Sequence, residues 1–152
     1  MRSLSPARPR GAAAGMAGAI AAVFVGGMLG TSARVAIDAL LPHGDTEFPL
    51  STLLINVIGS FVLGALVTGL WPIVPTWVRA GLGTGILGSF TTFSALAVAV
   101  TTVTVGGNLG LAALDLVLTL LLGFTAAALG LMLGQRAHGR RGDSESTIEV
   151  TE

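Results

Sequence analysis

Four long apolar stretches separated by short linkers dominate the hydropathy pattern of the chain. They cover residues 16–41, 50–70, 78–105 and 109–134. Each is long enough to cross a lipid bilayer, which takes about 20 apolar residues. The pattern therefore predicts an all-α integral membrane protein with four transmembrane helices.

The third stretch contains a polar, glycine-punctuated segment, residues 85–94, with the sequence Gly-Ile-Leu-Gly-Ser-Phe-Thr-Thr-Phe-Ser. A membrane interior has no water to satisfy loose backbone groups, so such a segment must be enclosed by protein or line a cavity. If the helix breaks at Gly88, a new half-helix starts near Thr91, where Ser and Thr are natural caps. The break could face an anion at the new N-terminus or a cation such as Na⁺ at the freed carbonyls. The alternative is an unbroken helix whose hydroxyls bond back to the i−4 carbonyls.

Composition supports the membrane assignment and excludes several chemistries. Only 11% of residues are charged and the mean hydropathy is +0.83, whereas soluble domains carry roughly 25% charged residues. Cysteine is absent, so no disulfide or thiolate is available. His43 and His138 are isolated from other catalytic residue types. We therefore predict that the protein is not an enzyme.

The arginines are concentrated on one side of the predicted bundle. Four spans place both termini on the same side, and the opposite loops carry Asp45 and Glu47 but no basic residue. Arg34 lies inside the first span. The terminal side collects the other seven arginines: Arg2, Arg8, Arg10, Arg79, Arg136, Arg140 and Arg141. The positive-inside rule therefore predicts a multi-pass protein of the cell membrane with both termini in the cytoplasm.

The two ends of the chain differ from its apolar middle. Residues 1–14 form a basic arm rich in Pro and Ala, and residues 137–152 are polar with mixed charges. We expect both ends to be disordered, flanking a transmembrane domain of residues 15–136.

A few polar side chains within the spans are candidates for function. The amide of Asn56, in the second span, offers two N–H donors without a formal charge, although an interhelical hydrogen bond would also explain it. Arg34 and Asp38 are spaced i,i+4, which allows a local ion pair. An Arg within a span is a functional candidate, with capping and snorkelling at the helix end as the alternative.

Three ordered segments resemble the CrcB/Fluc family of bacterial fluoride channels. Residues 26–34 are similar to its G-G-x-x-G-x-x-x-R motif, and residues 51–61 to its G-T-L-x-x-N-x-x-G-S-F motif. Residues 85–94 are similar to its G-x-x-G-G-x-T-T-F-S signature. Order, spacing and number of spans agree over residues 16–134.

The resemblance implies a passive fluoride channel that exports F⁻ and limits its toxicity. It also implies a broken third helix, an antiparallel dimer with two narrow pores, and one central structural Na⁺. By resemblance, Asn56, Phe93 and Ser94 would contact fluoride, and Arg34 would lie near a pore vestibule. The backbone carbonyls of Gly88 and Thr91 would hold the Na⁺. That ion would be structural rather than transported.

The sequence departs from the family pattern at several positions. The motif T-T-F-S-T-F continues here with Ala95 and Leu96, so a hydroxyl and a second phenylalanine are missing. Asp115 stands at about the level of a family tyrosine in the fourth span. Because a carboxylate along the path would repel an anion, we expect Asp115 to face the dimer interface or to pair with an Arg.

The arginine bias bears on the dimer. A chain that inserts in both orientations should have little Arg asymmetry, whereas seven arginines lie on one side here. We therefore hypothesise a heterodimer with an oppositely oriented paralogue, with a homodimer as the alternative. The second functional hypothesis is a non-conducting or half-competent structural subunit of a heterodimeric fluoride channel.

Overall fold

The computed structural model describes the backbone of residues 10–44 and 47–149, and the side chains of residues 15–44 and 47–139. All regular elements in that part of the chain are helices, which confirms the all-α prediction. They are α1 (Arg10–Leu40), α2 (Leu50–Gly69), α3 (Thr76–Arg79), a π-helix (Ala80–Leu87), α4 (Gly88–Phe90), α5 (Phe93–Val105) and α6 (Leu109–Glu149).

Four helical segments are long and apolar enough to cross a membrane, as the hydropathy pattern predicted. They are Gly15–Leu40, Leu50–Gly69, Thr76–Val105 and Leu109–Gly139. Between 11% and 33% of their most apolar windows is buried within the chain, so most apolar side chains face outward. Apolar surface on this scale requires lipid or a partner to cover it.

The third span, Thr76–Val105, changes backbone geometry along its length. Its glycine-rich first half forms the π-helix, a rare geometry found mostly near functional sites. Gly88 is right-handed helical, with φ −65° and ψ −26°. The chain therefore keeps helical geometry at Gly88, the position considered for a break. A Cβ at Gly88 would make an ordinary van der Waals contact, 3.5 Å from the Gly83 carbonyl oxygen, and the backbone there is not strained.

The departure from helical geometry lies at two threonines. Thr91 has φ −72° and ψ 152°, and Thr92 has φ −149° and ψ 118°, so both are extended. Helix α5 begins at the next residue, Phe93. Two successive extended residues redirect the chain and leave backbone groups on both sides without helical partners.

The spans associate mainly in two pairs, α1 with the third span and α2 with α6. Gly26 and Gly30 place α1 directly on the backbone of the third span, because a Cβ at either position would overlap a carbonyl oxygen. Gly130 and Gly134 do the same between α6 and α2. The small-residue spacing in the sequence therefore mediates close helix packing.

Helices α2 and α6 run parallel. Gly64 lies against Ala127, and further along both helices Gly69 lies against Gly134. Contacts advance in the same direction on both helices, as expected for the second and fourth spans of a four-span chain.

The helices extend beyond the expected limits of the transmembrane domain. Helix α1 starts at Arg10, within the segment expected to be an arm, and residues 1–9 lie outside the described residues. Helix α6 continues through Glu149, so residues 137–149 are helical where we expected a disordered tail. Ala, Arg and Glu in this segment are good helix formers, which allows the helix to propagate. Residues 150–152 lie outside the described residues.

Candidate functional site

Hydrogen bonds within the third span stabilise the interruption at Thr91 and Thr92. The Thr91 hydroxyl and the Thr91 N–H both donate to the Leu87 carbonyl, at 2.9 and 3.0 Å, and so end the first half. The Thr92 Oγ1 accepts the N–H of Ala95 at 3.1 Å, which makes Thr92 the N-cap of α5. The sequence predicted a Ser or Thr cap at the start of the second half of the span, and the capping residue is Thr92.

Asn56 bridges from α2 to the interruption with two hydrogen bonds to one residue. Its Oδ1 accepts the Thr92 N–H at 2.8 Å, and its Nδ2 donates to the Thr92 carbonyl at 3.0 Å. A backbone N–H can only donate and a carbonyl can only accept, so this pairing fixes the orientation of the amide. One N–H of Nδ2 remains beyond these bonds. Asn56 therefore holds the Thr92 backbone in its extended conformation. The second N–H of its amide can donate a further hydrogen bond.

Gly59 allows α2 to approach the interruption closely. A Cβ at this position would overlap Thr91 Cγ2 and lie 3.3 Å from Phe90 Cδ1. Gly59 is buried and lies on the same helix as Asn56. The glycine thus sets the short separation that the Asn56 hydrogen bonds need.

Asn56 and the extended threonines border an open cleft of about 340 Å³ between α2, α5 and α6. Phe93 stands at its rim with 75% of its surface exposed, whereas Leu96 is 2% exposed. The lining is uncharged: Asn56, Ser60, Thr91, Thr92, Phe93, Leu96, Thr119, Leu120, Gly123, Phe124 and Ala127. Such a surface offers N–H, O–H and aromatic C–H groups to a small solute without a fixed charge to trap it.

Two carbonyls at the interruption have lost their helical donors. In a continuous helix, the Gly88 carbonyl would accept from Thr92 N–H, which instead donates to Asn56. The Thr91 carbonyl would accept from Ala95 N–H, which instead donates to Thr92 Oγ1. Neutral oxygen donors suit hard cations. The described residues contain no group of three or more His, Cys, Asp or Glu side chains that could hold a metal ion.

The remaining predicted site residues lie outside the cleft lining. The Ser94 hydroxyl is 3.1 Å from Thr92 Oγ1, so it is linked to the cleft through the capping residue. Arg34 is half-buried near the end of α1. No ion pair joins it to Asp38 among the described side chains, although their spacing allowed one. The structure therefore brings Asn56, Phe93 and Thr91 together and leaves Arg34 apart.

Asp115 occupies a different environment from the one expected. Its side chain is 1% exposed and no Arg pairs with it in the described part of the chain, so it neither faces a partner nor forms an ion pair. Its Oδ1 accepts the hydroxyl of Thr119, one helical turn on, at 3.3 Å, and its Oδ2 is buried without a partner. Helical periodicity explains the correction, because this face of α6 packs inside the chain.

Several cleft residues carried no clear sequence signal. The backbone of Thr92, rather than its side chain alone, is the partner of Asn56, and pairing over 36 positions is invisible in a single sequence. Thr119 and Phe124 come from α6, far from the signature at residues 85–94. Ser60 lies one turn beyond Asn56, and this i,i+4 spacing could have placed it on the same face.

The fold and the cleft together define a class: a four-span helical membrane protein with an uncharged polar cleft at an interruption in its third span. The protein-family model described as CrcB-like protein, Camphor Resistance (CrcB), matches residues 21–131. This match covers most of the chain, and the protein belongs to the CrcB family.

Relatives of this chain carry names that describe an ion channel. Fluoride-specific ion channel FluC 3 of Streptomyces avermitilis is 41% identical over 128 residues, covering 82% of this chain but 62% of that protein. Fluoride-specific ion channel FluC 1 of Mycobacterium tuberculosis is 39% identical over 124 residues, covering 80% of this chain and 94% of that protein. Fluoride-specific ion channel FluC of Deinococcus radiodurans is 42% identical over 118 residues, covering 74% and 91%.

Proposed function

We propose that this chain forms a fluoride-specific ion channel that lets F⁻ leave the cytoplasm passively and so reduces its toxicity. The observation that carries the proposal is the uncharged cleft in which Asn56, Thr92 and Phe93 meet at the interruption of the third span. Membership of the CrcB family and the names of the relatives support fluoride as the permeant ion. They also favour a conducting channel over a purely structural subunit.

Weak, distributed contacts suit the passage of a strongly hydrated anion. Conduction needs binding that replaces water but still releases the ion. The remaining N–H of Asn56 is one donor at the cleft. The exposed Phe93 ring presents an electropositive edge, and Ser94 and Thr92 hold two linked hydroxyls beside it. Fluoride would exchange its water for these groups in succession.

Arg34 would act at a distance from the cleft. Its half-buried position near the end of α1 suits a vestibule, where a positive charge raises the local concentration of anions. A charge there attracts fluoride without forming part of the narrow path.

Na⁺ would be held by the carbonyls of Gly88 and Thr91, as a structural ion that is not transported. Both carbonyls lack their helical donors, and this supports their availability as ligands. The interruption at Thr91 and Thr92 is, in this interpretation, the broken third helix of the family. A bound cation there would supply fixed positive charge near the first half of the span.

The assembly we propose is an antiparallel dimer. The large exposed apolar surface supports a partner, and the open cleft would become a pore when a second subunit closes it. The arginine bias supports an oppositely oriented paralogue as that partner, with both termini of this chain in the cytoplasm. Tagging the termini and measuring insertion of the single chain tests this point. Equal populations in the two orientations would favour a homodimer instead.

Fluoride efflux from liposomes tests the function and the partner together. The chain is reconstituted alone and with a paralogue of opposite arginine bias, and a fluoride electrode follows release. Efflux from the paired preparation supports the proposal, and efflux from the chain alone supports a homodimer. Absence of efflux from both would contradict the function.

A further inference from the structure

Phe124 borders the same cleft as Asn56 and Phe93, although it lies on a different helix. The aromatic rings of the lining are Phe93, from α5, and Phe124, from α6. Their exposed fractions are nearly equal, 75% and 73%. The cleft therefore has an aromatic side chain on each of two facing helices.

The helix α5 itself supplies a single ring to this cleft. Leu96 follows Phe93 by three positions and lines the cleft, but its side chain is aliphatic and 2% exposed. Leucine fills space without offering the electropositive edge that an aromatic ring has. Any second aromatic contact for a solute in the cleft must come from α6 or from a partner.

The packing of α6 places Phe124 at the rim. A Cβ at Gly123 would lie 3.7 Å from Ser60 Oγ, so α6 comes close to α2 at this level. Leu120 and Phe124, spaced i,i+4, share one face of α6 and both line the cleft. Phe124 follows Gly123 directly, lines the cleft and is largely exposed, so it lies at the open side of the cleft.

We propose that Phe124 is a second aromatic contact for the permeating anion, on the side of the cleft that α6 forms. This inference rests on the proposed fluoride function. The ring edge carries partial positive charge and attracts a small anion without the strong binding that a cationic side chain would give. Phe124 thus contributes to fluoride selectivity from α6.

The test separates ring electrostatics from packing. Phe124→Leu removes the ring, and Phe124→pentafluorophenylalanine keeps its shape while making the edge electronegative. Phe24→Leu is the matched control, because Phe24 is 69% exposed and borders a different groove on α1. Each full-length variant is reconstituted in liposomes with whichever partner supports wild-type efflux, and assembly is checked by cross-linking.

Both Phe124 variants should reduce fluoride efflux by about fivefold, the size expected for one weak aromatic contact, while Phe24→Leu leaves it unchanged. If Phe124→Leu does not assemble, the fluorinated variant alone tests whether the Phe124 ring contacts the anion, because this variant keeps the shape of the side chain. Wild-type efflux from an assembled fluorinated variant would overturn the role of Phe124 alone. Absence of efflux from the wild-type protein would instead overturn the proposed function.

Discussion

Replacing Asn56 with Ala removes both hydrogen bonds that hold Thr92 in its extended conformation. Side-chain hydrogen bonds within membranes contribute about 0.6 kcal/mol each on average and up to about 1.7 kcal/mol. The replacement also leaves the N–H and carbonyl of Thr92 without these partners, and Thr92 is 8% exposed. A buried unsatisfied backbone group costs about 1–3 kcal/mol. We therefore expect Asn56→Ala to lower the free energy of unfolding by about 2–3 kcal/mol.

Hydrogen exchange locates this loss at the interruption. The Thr92 amide should exchange about 30- to 140-fold faster in Asn56→Ala, because each 1.4 kcal/mol is a factor of ten. Asn56→Asp keeps an acceptor for the Thr92 N–H but sets a second oxygen against the Thr92 carbonyl. This variant should retain more stability than Asn56→Ala and still abolish fluoride efflux, because it has no amide donor.

Asn108 provides the matched control. Its Oδ1 accepts the Leu111 N–H at 3.1 Å at the start of α6, away from the cleft. Asn108→Ala should cost about 1 kcal/mol of stability through the lost cap and leave fluoride efflux intact. If Asn56→Ala changes neither Thr92 exchange nor efflux, then Asn56 does not hold the interruption and the reasoning fails.

Three further substitutions probe the surroundings of the cleft. Gly59→Ala should reduce stability and fluoride efflux, because the added methyl group would overlap Thr91. Gly18→Ala is the control and should be neutral, because the space around Gly18 is open; unfolding in detergent micelles compares the stabilities of the two variants. Thr92→Ala should lower stability by about 1 kcal/mol through loss of the α5 cap, and Thr92→Ser should restore it; equal stabilities would contradict the capping role. Asp115→Asn should leave fluoride efflux at the wild-type level, because this side chain does not line the cleft; a large increase would show that its charge faces the ion path.

Hydropathy was sufficient to predict the main architecture. Apolar stretches of bilayer length have few alternatives to a transmembrane helix, since lipid cannot satisfy a free backbone. The close packing at the pairs Gly26/Gly30 and Gly130/Gly134 could also be predicted from the sequence, because only small residues allow helix backbones to touch. These features are local in sequence and depend on composition more than on tertiary contacts.

The exact position of the interruption depends on long-range contacts, which a single sequence does not show. Gly88 remains helical, whereas Thr91 and Thr92 are extended and the Thr92 N–H donates to Asn56 on another helix, close to the half-helix start expected near Thr91. The burial of Asp115 likewise depends on how α6 packs against the other helices. Its hydrogen bond to Thr119, one turn on in the same helix, does not specify that packing. Asn56 and Phe93 could be predicted from the sequence as residues of the site. Phe124 could not, because its helix begins well after the signature at residues 85–94.

Current recorded across a planar bilayer tests the central claim most directly. The assembled protein is placed between two solutions that both contain fluoride and chloride, with the fluoride gradient running in one direction and the chloride gradient in the other, and the reversal potential is measured. Our account predicts a current that reverses at the fluoride equilibrium potential, because the uncharged cleft at Asn56, Thr92 and Phe93 selects this anion. A reversal potential set by chloride, or no anion current from the assembled protein, would contradict it.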